Sequence, residues 1–168
     1  MLILIKKWTK ALSIIALPLM LLACGDKTVE VAHLAVKIES GDECHLCGML
    51  IIQFGGPKGE IFNKRTTKAK KFCSTRDLFS YYLQPENTRQ IQQIFVHDMA
   101  QTPWDKPNDE HFIDAKTAWY VKDHNQRGSM GATLASFSNK QDAQTFAHEF
   151  GGSLITFAQI DFDLLANL

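Results

Sequence analysis

Ser74-Thr75-Arg76-Asp77-Leu78-Phe79-Ser80-Tyr81-Tyr82 carries a helix start signal and one apolar face. Ser74 and Asp77 have the spacing of a capping box, with Ser74 as N-cap. Leu78, Phe79 and Tyr82 follow at i, i+1 and i+4, so they share a helix face. Pro85 is expected to stop the helix. Upstream, Leu50-Ile51-Ile52-Gln53-Phe54 is a β-like run. Gly55-Gly56-Pro57-Lys58-Gly59 reads as a turn and Glu60-Ile61-Phe62 as a return strand, which makes a hairpin. Downstream, Ile94-Phe95-Val96 supplies a third strand, so this half reads ββαβ.

The pattern recurs. Trp119-Tyr120-Val121 and Thr133-Leu134-Ala135-Ser136-Phe137 read as strands around a polar turn at 124–128. Ser138-Asn139-Lys140-Gln141 is a second capping box. Ala143, Phe146, Ala147 and Phe150 follow at i, i+3, i+4 and i+7, Gly151-Gly152 gives a C-cap, and residues 154–160 read as a strand. Phe72, Asp77 and Tyr81 recur as Phe137, Asp142 and Phe146, each 65 residues later. The expected fold is α+β: two repeated ββαβ modules, over residues 41–101 and 102–168, from a duplicated unit. Between the halves, residues 98–110 hold two prolines and four acids and read as a linker or long loop, with Trp104 packing onto one module.

Residues 1–23 read as a signal peptide. Lys6, Lys7 and Lys10 form a positive start, and the apolar run at 11–23 is broken only by Ser13 and Pro18. It ends in Leu21-Leu22-Ala23-Cys24, which resembles the bacterial lipobox, so Cys24 is expected to be acylated as the mature N-terminus. Residues 24–40 then form a tether, with one short strand expected near 35–38. The 18 basic and 18 acidic residues of the chain become 15 and 18 once the leader's three lysines are removed, a formal −3. That balance gives no electrostatic case for binding nucleic acid.

The chemistry concentrates in Cys44-His45-Leu46-Cys47-Gly48-Met49. Cu(I) is soft and prefers thiolate and thioether sulfur, whereas Zn²⁺ would leave the methionine unused. If Cys47 and Met49 lie in a strand, they point to one face with Cα atoms roughly 6.5–7 Å apart. Other readings of these six residues are a redox Cys-x-x-Cys pair and a disulfide staple. With Cys24 acylated, three cysteines remain, and an oxidising compartment favours closing Cys44 to Cys47 without metal. Met130, between Ser129 and Gly131, is a soft residue that could face the first module. His148 falls off the apolar face of its helix and reads first as a solvated histidine. His45 is a less well placed candidate. Cys73 abuts a helix N-terminus, which would lower its pKa, or is a buried apolar cysteine. No nucleophile with an evident base, zinc-protease motif or phosphate loop stands out.

These residues resemble the NosL family, the accessory lipoproteins of nitrous oxide reductase in denitrifying bacteria. The likeness rests on 44–49 and on Gly56-Pro57-Lys58-Gly59-Glu60. Val96-His97-Asp98-Met99 with Trp104, Ile113-Asp114-Ala115 and Ala118-Trp119-Tyr120-Val121 extend it. Met130-Gly131-Ala132, Asp142-Ala143 and Gly151-Gly152 complete it in order. The resemblance implies two ββαβ modules and a periplasmic, membrane-anchored Cu(I) chaperone that delivers copper to nitrous oxide reductase and is not an enzyme. It implies Cys47 and Met49 as ligands. Met130 is the best third candidate, and Cys44 and His148 are outside candidates. The rivals are a thiol–disulfide oxidoreductase using Cys44 and Cys47, and a structural zinc module using Cys44, Cys47 and Cys73 with a histidine.

Overall fold

The computed structural model describes residues 32–168; the leader and Cys24 lie outside them. Seven short strands form two antiparallel sheets. β1 (Gly59–Asn63), β2 (Lys70–Phe72), β3 (Ile91–His97) and β4 (Phe112–Asp114) make the first, in the order β2-β1-β3-β4. β5 (Trp119–Lys122), β6 (Ala135–Phe137) and β7 (Ser153–Thr156) make the second, in the order β6-β5-β7. Helix α1 (Thr75–Tyr82) follows β2 and helix α3 (Lys140–Phe150) follows β6. Two short helices, α2 (Pro85–Thr88) and α4 (Phe162–Ala166), complete the fold. In both sheets the first strand is central, flanked by the second and third, so a strand–strand–helix–strand order appears twice.

The helix caps explain where each helix starts. Ser74 is extended, and its hydroxyl accepts the Asp77 N–H at 3.1 Å. In the second half the cap is Asn139, whose side-chain oxygen accepts the Asp142 N–H at 2.9 Å. Sequence spacing favoured Ser138, but the extended residue that reaches N3 is one later. Asn139 lies 65 residues after Ser74, the offset of the other matched positions. Gly151 ends α3 at φ 78°, a left-handed geometry that suits glycine. Pro85 does follow the end of α1, and it opens α2 at the position where a missing N–H costs nothing.

Two expected strands are not formed and a third is shortened. Residues 50–54 hold a 3₁₀ turn, Ile51–Gln53, in which Ile51 is fully buried and Ile52 is 55% exposed. The Ile51 N–H bonds the Asp42 carbonyl at 3.0 Å, so it closes a local turn instead of a ladder. The hairpin partner of β1 is accordingly β2, through Glu60 and Lys71. The expected strand at 154–160 stops at Thr156, and Phe157–Gln159 is 3₁₀. Residues 35–38 join no ladder. Their N–H groups are met by side chains: Val36 by Glu60 Oε2 at 2.9 Å and Ile38 by Asp109 Oδ2 at 2.8 Å. His33 stacks on Phe62 with ring centroids 4.6 Å apart and bonds Gln93 through its N–H. This segment is a strap over the outer face of the first sheet.

One apolar cluster joins the two sheets. Ile61, Ile94 and Val96 from the first meet Tyr120 and Ile155 from the second around Leu78 and Phe79 of α1. Burying each large side chain contributes about 1.5–3 kcal/mol. Gly59 makes the contact close enough: a Cβ there would sit 2.1 Å from Leu78 Cδ1. Trp104 ties the long loop down. It stacks on Phe146 and donates from Nε1 to the Arg127 carbonyl at 2.9 Å, and its carbonyl accepts the Gly56 N–H at 2.7 Å. The division between sheets does not fall at residue 101, because β4 pairs with β3 through Val96 and Ile113.

Glu60 is fully buried beneath the strap, with Oε1 unpartnered, and burial pushes its carboxyl up to about 7. A folded value above the usual 4.5 favours folding while Glu60 is protonated. That contribution fades as the pH rises through about 7. Glu60→Gln stays neutral and should lose less melting temperature between about pH 5 and about pH 8 than the parent. Parallel pH profiles from thermal denaturation would exclude Glu60 as the source.

Candidate metal centre

The Cys-x-x-Cys segment folds as a tight turn. The Cys44 carbonyl accepts the Gly48 N–H, and the Cys44 N–H donates to the Met49 carbonyl, both at 2.8 Å. Gly48 takes φ 74°, where a side chain would be strained. The His45 N–H hangs this turn on β2 by bonding the Lys71 carbonyl at 2.8 Å. Two residues on from Lys71, just past the end of β2, comes Cys73, next to the cap of α1. The turn therefore delivers Cys44 and Cys47 to Cys73.

The result is a cluster of three free thiols and a carboxylate. Potential ligand atoms of Cys44, Cys47, Cys73 and Asp77 all lie within 4.8 Å of one another. Cys47 and Cys73 sulfurs are 3.5 Å apart, and Cys73 and Cys44 approach Asp77 Oδ2 at 3.2 and 3.4 Å. Cys44, Cys73 and Asp77 are buried, whereas Cys47 is exposed. From the second half of the chain, the Ser129 hydroxyl donates to Cys73 Sγ at 3.0 Å.

Lys58 lies under this cluster, 3% exposed, with Nζ donating to the carbonyls of Phe54, Gly55 and Cys73 at 2.6, 2.8 and 3.1 Å. Burial pulls its ammonium down to about 8, against the opposing pull of the Cys73 and Cys44 sulfurs. The three thiols differ in acidity. A hydrogen bond from Cys73, helped by backbone N–H groups, pulls Cys44 down to about 6 against the effect of burial. Cys73, the partner of Cys44, is pushed far above the ordinary thiol range, and burial raises Cys47.

The candidates named from sequence are not all in this cluster. Cys44 and Cys47 are brought together, but Cys73 rather than Cys44 is the hydrogen-bonding sulfur beside Cys47. Met49 is not in a strand with Cys47. It closes the turn, half-buried against the core. Met130 is 55% exposed, one residue from Ser129, in a small loop closed by Gly128 and Gly131. His148 is exposed in the last turn of α3 and is not part of the four-residue group. His45 turns outward, with Nε2 2.7 Å from Lys70 Nζ and its ring against Phe72 and Tyr81. Asp77 was legible only as a capping residue. Cys73 lies just before the Ser74 cap and Asp77 in the first turn of α1, so the cap itself brings the two together.

Three thiols and a carboxylate, with one thiol exposed, form a group that could hold a metal ion on a two-sheet α+β domain. Residues 35–165 match the NosL family profile, and the chain belongs to that family. It is 45% identical over 146 residues to the copper-binding lipoprotein NosL of Stutzerimonas stutzeri, covering 86% of this chain and 76% of that one. It is 36% identical over 119 residues to the copper-binding lipoprotein NosL of Achromobacter cycloclastes, covering 69% and 62%. The crystal structure of the copper chaperone NosL from Shewanella denitrificans superposes with a TM-score of 0.77 at 51% identity, over 79% of this chain and 99% of that one.

The unequal thiols give a direct check. Thiolate absorbance of the metal-free domain should begin to rise below the ordinary thiol range, and Cys44→Ser should move that rise to higher pH. Three equal steps near the ordinary thiol value would contradict the arrangement.

Proposed function

We propose that this protein is a lipid-anchored periplasmic carrier of Cu(I) that delivers copper to nitrous oxide reductase. The observation that carries the reading is the thiol cluster at the exposed turn. Its family is one whose named relatives are copper-binding lipoproteins and a copper chaperone. Thiolate sulfur suits a soft monovalent ion, and the protons it displaces leave to solvent. Cys47 and Met49 hold the metal in this reading, with Met130 as the third donor and Cys44 and His148 as outside candidates. Geometry adds Cys73, whose sulfur lies beside that of Cys47. Two thiolates on Cu(I) leave a net negative charge, and the buried Lys58 ammonium offsets it. Exposure of Cys47 lets an acceptor's donor atom enter as one carrier bond breaks, so no electron changes hands. The repeated strand–strand–helix–strand order, with caps 65 residues apart, supports a duplicated ββαβ origin.

This is a carrier and not an enzyme. A thioredoxin-like oxidoreductase would place its Cys-x-x-Cys at the start of a helix. Here a 3₁₀ turn follows, and Cys44 is 2% exposed.

The domain should take up about one Cu(I) per chain in an anaerobic titration and prefer it to Zn²⁺. Met49→Leu keeps the volume and removes the sulfur, and it should weaken Cu(I) binding more than Cys44→Ser does. A silent Met49→Leu together with disulfide-reductase activity that depends on both Cys44 and Cys47 would favour the oxidoreductase. Equal competition by Zn²⁺ would sink the copper reading.

Anchoring is tested separately. Cys24→Ser should release the protein from membranes or leave it as an unprocessed precursor, because acyl chains supply the affinity. A processed variant that still fractionates with membranes would contradict the lipobox.

A further inference from the structure

The connection between β1 and β2 is the most basic stretch of the described chain. Asn63-Lys64-Arg65-Thr66-Thr67-Lys68-Ala69-Lys70-Lys71 holds five cations and no acid, in a chain whose basic and acidic residues number 18 each. Lys71 is committed to Asp42 and to the Lys37 carbonyl, both at 2.5 Å. Among the described residues, Lys64, Arg65, Lys68 and Lys70 make no ion pair with a carboxylate. Residues 64–68 are all exposed.

A second element builds the patch into a cleft. Lys64 bonds the Arg89 carbonyl through Nζ at 3.0 Å and the Gln90 carbonyl through its N–H at 2.9 Å. This fixes the tip against the α2–β3 corner. The cleft between them is lined by Asn63, Lys64, Arg65, Thr66, Arg89 and Gln90. Glu86 is the one acid on the adjoining α2.

We propose that this basic tip docks onto anionic phospholipid headgroups and orients the domain on the membrane. The choice of a membrane over an acidic protein rests on where the strap runs. His33 stacks on Phe62, the residue before Asn63, and Lys37 is held by Lys71. The chain therefore enters the described domain beside the basic tip. Cys24 is only eight residues before Ala32, a span of at most about 29 Å. One acyl signal plus a basic patch is a stronger attachment than either alone. Docking also places the metal cluster: β2 runs from Lys70 to Phe72, so Cys73 follows the patch by about 10 Å. The copper turn would then face partners held at the same membrane surface.

This inference rests on the anchored reading, and its test is independent of Cys24. The crystallised Shewanella relative corresponds over 99% of its length to this domain, so the domain folds without the leader. Residues 32–168 are sedimented with vesicles of phosphatidylcholine alone, or with about one-third phosphatidylglycerol. Binding is expected only to the anionic vesicles, with release as salt is raised. Each charge lost from the tip should weaken it by about fivefold. The triple variant Lys64→Glu, Arg65→Glu, Lys68→Glu should therefore abolish binding, with circular dichroism unchanged. Lys106→Glu, in the long loop, should keep it. Equal binding to neutral vesicles, or unchanged binding by the triple variant, would overturn the proposal. Absence of binding to either vesicle would also overturn it and turn attention to an acidic protein face.

Discussion

The Thr75 hydroxyl holds the two halves of this protein in register. It is fully buried, donates to the Leu134 carbonyl at 2.6 Å and accepts the Leu134 N–H at 3.1 Å. Its single proton is spent on that carbonyl, so the Thr133 hydroxyl, 2.8 Å away, is the donor in the third bond. A buried donor or acceptor left unmet costs about 1–3 kcal/mol, so the start of α1 cannot drift from the lead-in to β6. Cys73 sits two residues before Thr75 and Asp77 two after it, while Ser129 approaches from the other half. Fixing Thr75 therefore fixes the floor of the thiol cluster. Ser136 and Met99 add a second bridge, through the His97 carbonyl at 2.7 Å and the Met99 N–H to the Ser136 carbonyl at 2.8 Å.

The cluster's electrostatics follow from its burial. Three thiols beside a carboxylate cannot all ionise, because each added charge is repelled by the others in a poorly solvated place. Of the three thiols, Cys44 is the one whose surroundings favour the thiolate, with Lys58 below as the nearest cation. An incoming cation removes the reason for holding the other protons. The site is thereby a poor resting place for negative charge and a good one for a soft cation. Cys47, at the rim, is the donor most easily reached by another molecule.

Local signals were read well where a few adjacent residues decide the outcome. Ser74 with Asp77, the apolar face of α3 and the Gly151 cap all form as their spacing implied. The Leu50–Phe54 stretch was misread because its composition is strand-like, while its fate depends on the Asp42 carbonyl and on burying Ile51 alone. With no strand there, the same-face geometry considered for Cys47 and Met49 does not arise. The 65-residue offset was visible, yet the true cap, Asn139, needed backbone geometry to separate it from Ser138. In the site, Cys44 and Cys47 were evident from their motif. The contact between Ser129 and Cys73 spans 56 residues and had no local signature. Asp77 was hidden by its second role in the helix cap.

The central claim is that sulfur from the Cys44–Met49 turn and from Cys73 carries the copper. X-ray absorption at the copper edge of the loaded domain tests it most directly. The expected first shell is dominated by sulfur, and Cys73→Ser should lower the sulfur count. A first shell of nitrogen or oxygen, or one indifferent to Cys73→Ser, would contradict it.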